Sequence, residues 1–156
     1  MKKILIFLSC CCLLTHLANA QPKQKAAKEF LTKLNSILKN SPSQHWGYEG
    51  AMTIDSAFAI SPAGILSVTV RYTNDSSFMR ARMEAPVSKI KGALYDLYLI
   101  LECAGDDVTI YQSEDGSNEL KVTNKTHLFH VGEPTGDGYW EKENLEKLLD
   151  KLLKFY

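Results

Sequence analysis

The run Leu94–Cys103, Leu-Tyr-Asp-Leu-Tyr-Leu-Ile-Leu-Glu-Cys, constrains the fold of this chain more than any other stretch. On a strand, Leu97, Leu99 and Leu101 point to one side, and Tyr98 and Ile100 to the other. A strand apolar on both sides is covered on both faces. The run is therefore expected to be one central strand in the middle of the core.

The first twenty residues read as a leader rather than as part of the fold. Lys2 and Lys3 give a short basic start of bacterial type, Ile4 to Leu17 are largely apolar, and Ala18-Asn19-Ala20 is the small-x-small pattern cut by signal peptidase. Cleavage after Ala20 leaves one domain, 21–156, in the periplasm or outside the cell. The leader is too short to span a bilayer, and no later run approaches spanning length, so no transmembrane segment is expected. Cys10 is the alternative, as a lipid-attachment cysteine. Phe7-Leu8-Ser9-Cys10 departs from a Leu-Ala-Gly-Cys pattern at its first position, and the apolar run before it is short for such a signal.

Removal of the leader takes three of the four cysteines and leaves Cys103, so no internal disulfide can form. Stability must come from an ordinary core. It also removes Lys2 and Lys3 from 18 basic residues, leaving 16 against 18 acidic ones, a net charge of −2. That balance argues against nucleic acid or a membrane surface as an electrostatic partner.

Hydrophobic periodicity places a helix over Lys23–Asn40, with Ala27, Phe30, Leu31, Leu34, Ile37 and Leu38 on one face and Ser41-Pro42 ending it. From Ala51 the period is two. Met52, Ile54, Phe58 and Ile60 mark a first strand; Leu66, Val68, Val70 and Tyr72 a second; Met79, Ala81 and Met83 a third, with Arg80 and Arg82 outward. Val87–Leu94 reads equally as a short helix or an irregular strand. Ala104–Asp107 is expected to close a hairpin, followed by a strand at Val108–Gln112, and Leu120–Val131 is expected to be extended. Tyr139–Tyr156 is the clearest helix, its stripe formed by Leu145, Leu148, Leu149, Leu152 and Leu153. The expected class is α+β: an N-terminal helix, an antiparallel curved sheet or roll of five to seven strands, and a C-terminal amphipathic helix packed on the sheet.

Ala85-Pro86-Val87-Ser88-Lys89-Ile90-Lys91 before a strand, then Val108-Thr109-Ile110, then the helix at Leu145–Leu153, resemble the PH-like superfold, including bacterial PH-like and GRAM-type domains. The resemblance implies a rolled sheet with its end plugged by the helix. With Val87–Leu94 helical, the order instead resembles a type III secretion chaperone-type fold.

Few chemistries find their residues. His127 and His130 flank Leu128-Phe129 and on one strand would point to opposite faces, a poor geometry for shared metal binding, so no metal or cofactor is expected. Cys103 ends an apolar strand and reads as a core residue. Asp106-Asp107 and Glu114-Asp115 sit where turns favour aspartate. No phosphate loop or Gly-x-Ser-x-Gly motif is present. Two constellations remain. Closing a hairpin at Asn74–Ser77 sets Arg71 opposite Arg80 and Thr69 opposite Arg82, and like charges across a strand pair need neutralising. A small anionic ligand on Arg71, Arg80 and Arg82 would do this, as would a side chain such as Asp55. The loop aromatics Trp46, Tyr48, Tyr139 and Trp140 are candidate partner contacts, with helix packing the plainer role for Trp140. The readings carried forward are a non-enzymatic exported module for a protein or small ligand, an envelope or secretion accessory of chaperone type, and a small hydrolase using His127 or His130.

Overall fold

The computed structural model describes the backbone of residues 2–45 and 47–156, and side chains from Gln21 onward except Trp46. The leader, its cleavage after Ala20, the Cys10 alternative and the Trp46 contact fall outside the described side chains. In chain order the elements are α1 (Lys2–Asn40), β1 (Ala51–Ile60), β2 (Ile65–Thr73), β3 (Phe78–Pro86), β4 (Ile90–Asp96), β5 (Tyr98–Cys103), β6 (Val108–Ser113), β7 (Leu120–Thr126), β8 (Leu128–Gly132) and α2 (Gly138–Leu153). The class is α+β. The strands pair antiparallel in two sheets, β1-β2-β3-β6-β7 and β4-β5-β8, rather than in one curved sheet. Among the described residues no helix is long and apolar enough to cross a membrane.

The helix expected from Lys23 begins at Lys2 and continues through Pro22. The proline deletes one backbone hydrogen bond, and the segments on either side hold the helix across it. Phe30, Leu34, Ile37 and Leu38 are buried at the expected spacing, each contributing roughly 1.5–3 kcal/mol of burial. Asn35 docks the helix on β1, where a break in register leaves backbone groups of Phe58 unpaired in the ladder. Its side chain accepts from Phe58 N–H at 2.8 Å and donates to Phe58 C=O at 3.1 Å. Asp137 caps α2 by accepting from the backbone N–H groups of Tyr139 and Trp140. The stripe Leu145, Leu149 and Leu152 is then buried, with α2 lying on β4, β5 and α1.

The expected central strand is half of a hairpin. β4 and β5 pair Asp96 with Tyr98, so the chain reverses at Leu97, which has φ +62° and is 75% exposed. The alternation through Leu97, Leu99 and Leu101 counts a turn residue as core. The stripe that is buried runs Leu99, Leu101, Cys103, with Ile100 buried on the opposite face. Val87–Leu94 divides into a 3-10 turn, Val87–Lys89, and the start of β4. Ala104–Asp107 closes no hairpin: it carries the chain from the smaller sheet to the larger one. Leu120–Val131 is not one strand, because at His127 the chain crosses back, β7 lying in the larger sheet and β8 in the smaller. Ile54 is 38% exposed on the edge strand β1, whereas Leu66, Val68, Val70 and Tyr72 of β2 are buried as expected. The two crossings leave β5 and β8 facing β6 and β7 across a gap.

Candidate functional site

The arginine pairing follows the expected register: Arg71 opposite Arg80, Thr69 opposite Arg82, Tyr72 opposite Met79. Asp55 of β1 sits beside the first pair. It accepts from Arg71 Nε and Nη2 at 3.1 and 3.2 Å and from Arg80 Nε at 2.6 Å. The Arg71 hydrogen bond, and then that of Arg80, holds the Asp55 carboxyl below its ordinary value. Asn118 accepts from both arginines, and the Arg71 guanidinium lies 4.4 Å from the Phe78 ring centroid. Arg82 is turned to Glu84, its Nε 2.8 Å from Oε1, so the three arginines do not converge on one point. The neutralisation that the register requires comes from within the sheet. Asp55→Ala is therefore expected to cost about 1 kcal/mol, since it leaves like charges opposed on an exposed pair. Melting curves in sulfate and chloride at equal ionic strength check it. Sulfate, which stabilises folded proteins generally by exclusion, should raise the melting temperature of the variant more than that of the wild type; an equal rise in both would mean that removing Asp55 opens no anion site on the arginines.

The loop aromatics do not behave as a group. Tyr48 is half-buried, its ring 4.9 Å from that of Tyr72 and its hydroxyl accepting from Gln112 at 3.2 Å. Tyr139 and Trp140 are 71% and 62% exposed, so Trp140 does not pack its helix down. Tyr139 stands edge-on to Tyr95, and Lys33 Nζ lies 5.9 Å from the Trp140 ring.

The gap between the sheets forms a cleft of about 530 Å³, within the roughly 300–1,000 Å³ of small-ligand sites. Tyr98 and Ile100 of β5 and Leu128 and His130 of β8 form one wall; Ile110, Asn124 and Thr126 of β6 and β7 form the other. Asp96 and Leu97 of the β4–β5 turn and His45 of the loop after α1 complete the lining. Ile100 and His130 are direct cross-strand partners, and so are Ile110 and Asn124.

His45 is placed by its neighbour Gln44, which is 1% exposed. The Gln44 backbone N–H donates to the Tyr72 hydroxyl at 2.9 Å, and its side-chain amide donates to the His130 carbonyl at 3.0 Å. This lock between β2 and β8 sets the His45 and His130 rings edge to face, 4.4 Å between centroids. The Tyr98 ring stands 6.2 Å from His130 on the next strand. Burial, with a smaller contribution from His45, lowers the His130 pKa from 6.5 to about 4. Burial also lowers His45 and raises the Tyr98 phenol, the latter aided by the Glu133 carboxylate. His130 is 9% exposed, and its Nδ1 has no hydrogen-bond partner among the described residues. A buried unpaired ring nitrogen is costly, and this one is closed to the cleft as well as to solvent.

The remaining reactive groups are inert or scattered. Cys103 is 1% exposed, and burial, followed by the Asp107 and Glu102 carboxylates, pushes its thiol up to about 11. It is a protonated core side chain at neutral pH. His127, at the crossing between sheets, lies on the surface with Nδ1 3.9 Å from Asp106. Among the described residues no three His, Cys, Asp or Glu side chains gather as a metal-binding group. The sequence reading treats His130 only as a metal or catalytic candidate, and it misses Gln44, Asp96 and the cleft itself. Their signal is absent locally, because the cleft exists only once two turns are known to change sheets. No protein-family model, curated protein or solved structure matches the chain.

Proposed function

We propose that this chain is an exported, non-enzymatic binding module that holds a small apolar ligand in the cleft between its two sheets. The observation that carries the reading is the cleft itself, of ligand size, with Ile100, Ile110 and Leu128 in its walls and no lysine or arginine in its lining among the described residues. The basic, apolar and small-x-small order of residues 1–20 supports export to the periplasm or beyond. The protonated thiol of Cys103 and the distance of His127 from the cleft lining support binding without chemistry. The packing of α2 on β4 and β5 supports the PH-like resemblance as a reading of layout alone. Exposed Tyr139 and Trp140 support a second reading, an accessory protein that docks a partner on the start of α2; co-purification of one unfolded client would favour it.

Nile red, an uncharged dye without a hydrogen-bond donor, tests the cleft. Its fluorescence is expected to rise saturably with the wild-type protein. The rise should vanish in Asn124→Trp, which fills the cleft from an exposed position of β7 and leaves the melting temperature unchanged. Saturable binding that survives Asn124→Trp, or no binding to either protein, would overturn the reading.

A further inference from the structure

We infer that the ligand of this cleft is an amphiphilic amine, its apolar body between the sheets and its ammonium at the mouth against the Asp96 carboxylate; this rests on the cleft reading and names the ligand class. The register aims Asp96 at the cleft. Asp96 and Tyr98 are direct cross-strand partners around the turn at Leu97, and Ile100 follows Tyr98 by two residues. The three side chains therefore leave the smaller sheet on one face, and all three line the cleft. Asp96 is exposed, and it enters no hydrogen bond or ion pair among the described residues. Its carboxylate is thus open to a cation that a ligand brings.

The rest of the lining leaves that charge unopposed. Asp96 is its one formally charged side chain among the described residues; no lysine or arginine lines the cleft, and its two imidazoles sit in surroundings that favour their neutral forms. A second negative charge, Glu133, acts on the Tyr98 phenol. An ammonium at the mouth keeps water on its outward side and exchanges the remainder for a carboxylate, so it is spared the cost of an unpaired buried charge. The Tyr98 ring opposite Asp96 adds a further attraction for a cation. A carboxylate, phosphate or sulfonate would lose hydration and face Asp96 without a counter-charge. The ligand that fits is thus not the anion suggested by the arginine pattern, which lies on the β1–β3 face and is met by Asp55 and Glu84.

The mouth fits the apolar part of the same ligand. Leu97 is an exposed leucine held at φ +62°, a backbone state that an ordinary turn would give to glycine or asparagine. A side chain kept there against its preference sets an apolar lip directly beside the carboxylate. One turn, Asp96-Leu97-Tyr98, therefore offers an anion, an apolar contact and an aromatic ring, and Ile100, Ile110 and Leu128 continue the apolar path inward.

Displacement of Nile red at neutral pH by three compounds of equal chain length, octylammonium, octanol and octanoate, tests the charge preference. Octylammonium is expected to displace the dye at about threefold lower concentration than octanol, and octanoate to need at least about tenfold more than octylammonium. In Asp96→Asn the ratio between octylammonium and octanol should fall to about one; a ratio within one protein cancels any general change that the substitution makes to the cleft. Octanol or octanoate displacing the dye as readily as octylammonium, no displacement by any of the three, or a preference for octylammonium that survives Asp96→Asn would overturn the inference while Nile red binding still upheld the cleft. A wild-type protein that does not bind Nile red would overturn both. Should Asp96→Asn not fold, the wild-type ranking of the three compounds decides alone.

Discussion

Lys33→Met is expected to be the most damaging single polar change in this protein, costing about 3 kcal/mol of folding stability at neutral pH. Lys33 on α1 reaches Glu141 on α2, Nζ to Oε2 at 3.2 Å, while Thr135 donates to the other carboxylate oxygen at 2.9 Å. Glu141 is 5% exposed and sits at the contact between the two helices. Methionine is close to lysine in length and keeps the stem's packing, so the loss isolates the charge. What remains is a carboxylate in an apolar contact with one hydroxyl partner and no cation. Breaking a buried pair from one side costs roughly 3–5 kcal/mol, and the partial exposure of Lys33 argues for the lower end. The discriminating step is Glu141→Gln in the Lys33→Met background. Glutamine retains the Thr135 bond without a charge, so the double variant should recover most of the loss in urea unfolding. A single variant within about 0.5 kcal/mol of the wild type, or a double variant less stable than the single, would mean that the pair lies in a wetter setting than its burial indicates.

Some of this molecule could be read from its sequence because two local signals agreed. At Asn74–Ser77 a turn composition falls between two strictly alternating strands, so the register from Tyr72 opposite Met79 to Thr69 opposite Arg82 followed directly, and with it the need for Asp55. The leucine stripe of α2 and the Phe30–Leu38 face of α1 were equally legible, because an amphipathic period of 3.6 has one packing solution. The failures share a cause. Leu97 is an apolar residue in a turn, and alternation assigns apolar residues to the core. Ala104-Gly105-Asp106-Asp107 has the residues of a hairpin turn, and the same residues serve a turn that leaves the sheet, since the choice depends on which strand is free to pair. The candidate site inherits this blindness. Its walls come from strands separated by both sheet changes, and the residue that locks it, Gln44, occupies a loop whose composition shows no period.

Acid should destabilise this protein in two separable steps, and the first belongs to His130. Its pKa is about 4 in the folded chain, against an ordinary value of 6.5. The unfolded chain therefore takes up the proton at a higher pH than the folded one, and folding opposes protonation between those values. The stability associated with the neutral ring is complete above about pH 6.5 and is lost as the pH falls toward 4, by the order of 2 kcal/mol once the ring's residual solvent contact is allowed for. The groups facing the ring account for the direction: Ile100 and Tyr98 supply no charge to favour an imidazolium, and His45, itself lowered by burial, would repel one. The Asp55 pKa is lowered as well, so it too loses stability in acid, but over a lower range. Its carboxyl is held below an ordinary 3.8, so its contribution persists through the histidine window and disappears only beneath it. Urea unfolding at pH 7, 5.5, 4 and about 2.5 should thus show a first decline that His130→Leu flattens and a later one, below about pH 4, that it leaves intact. An unchanged first decline in His130→Leu would assign it to His45 or another group.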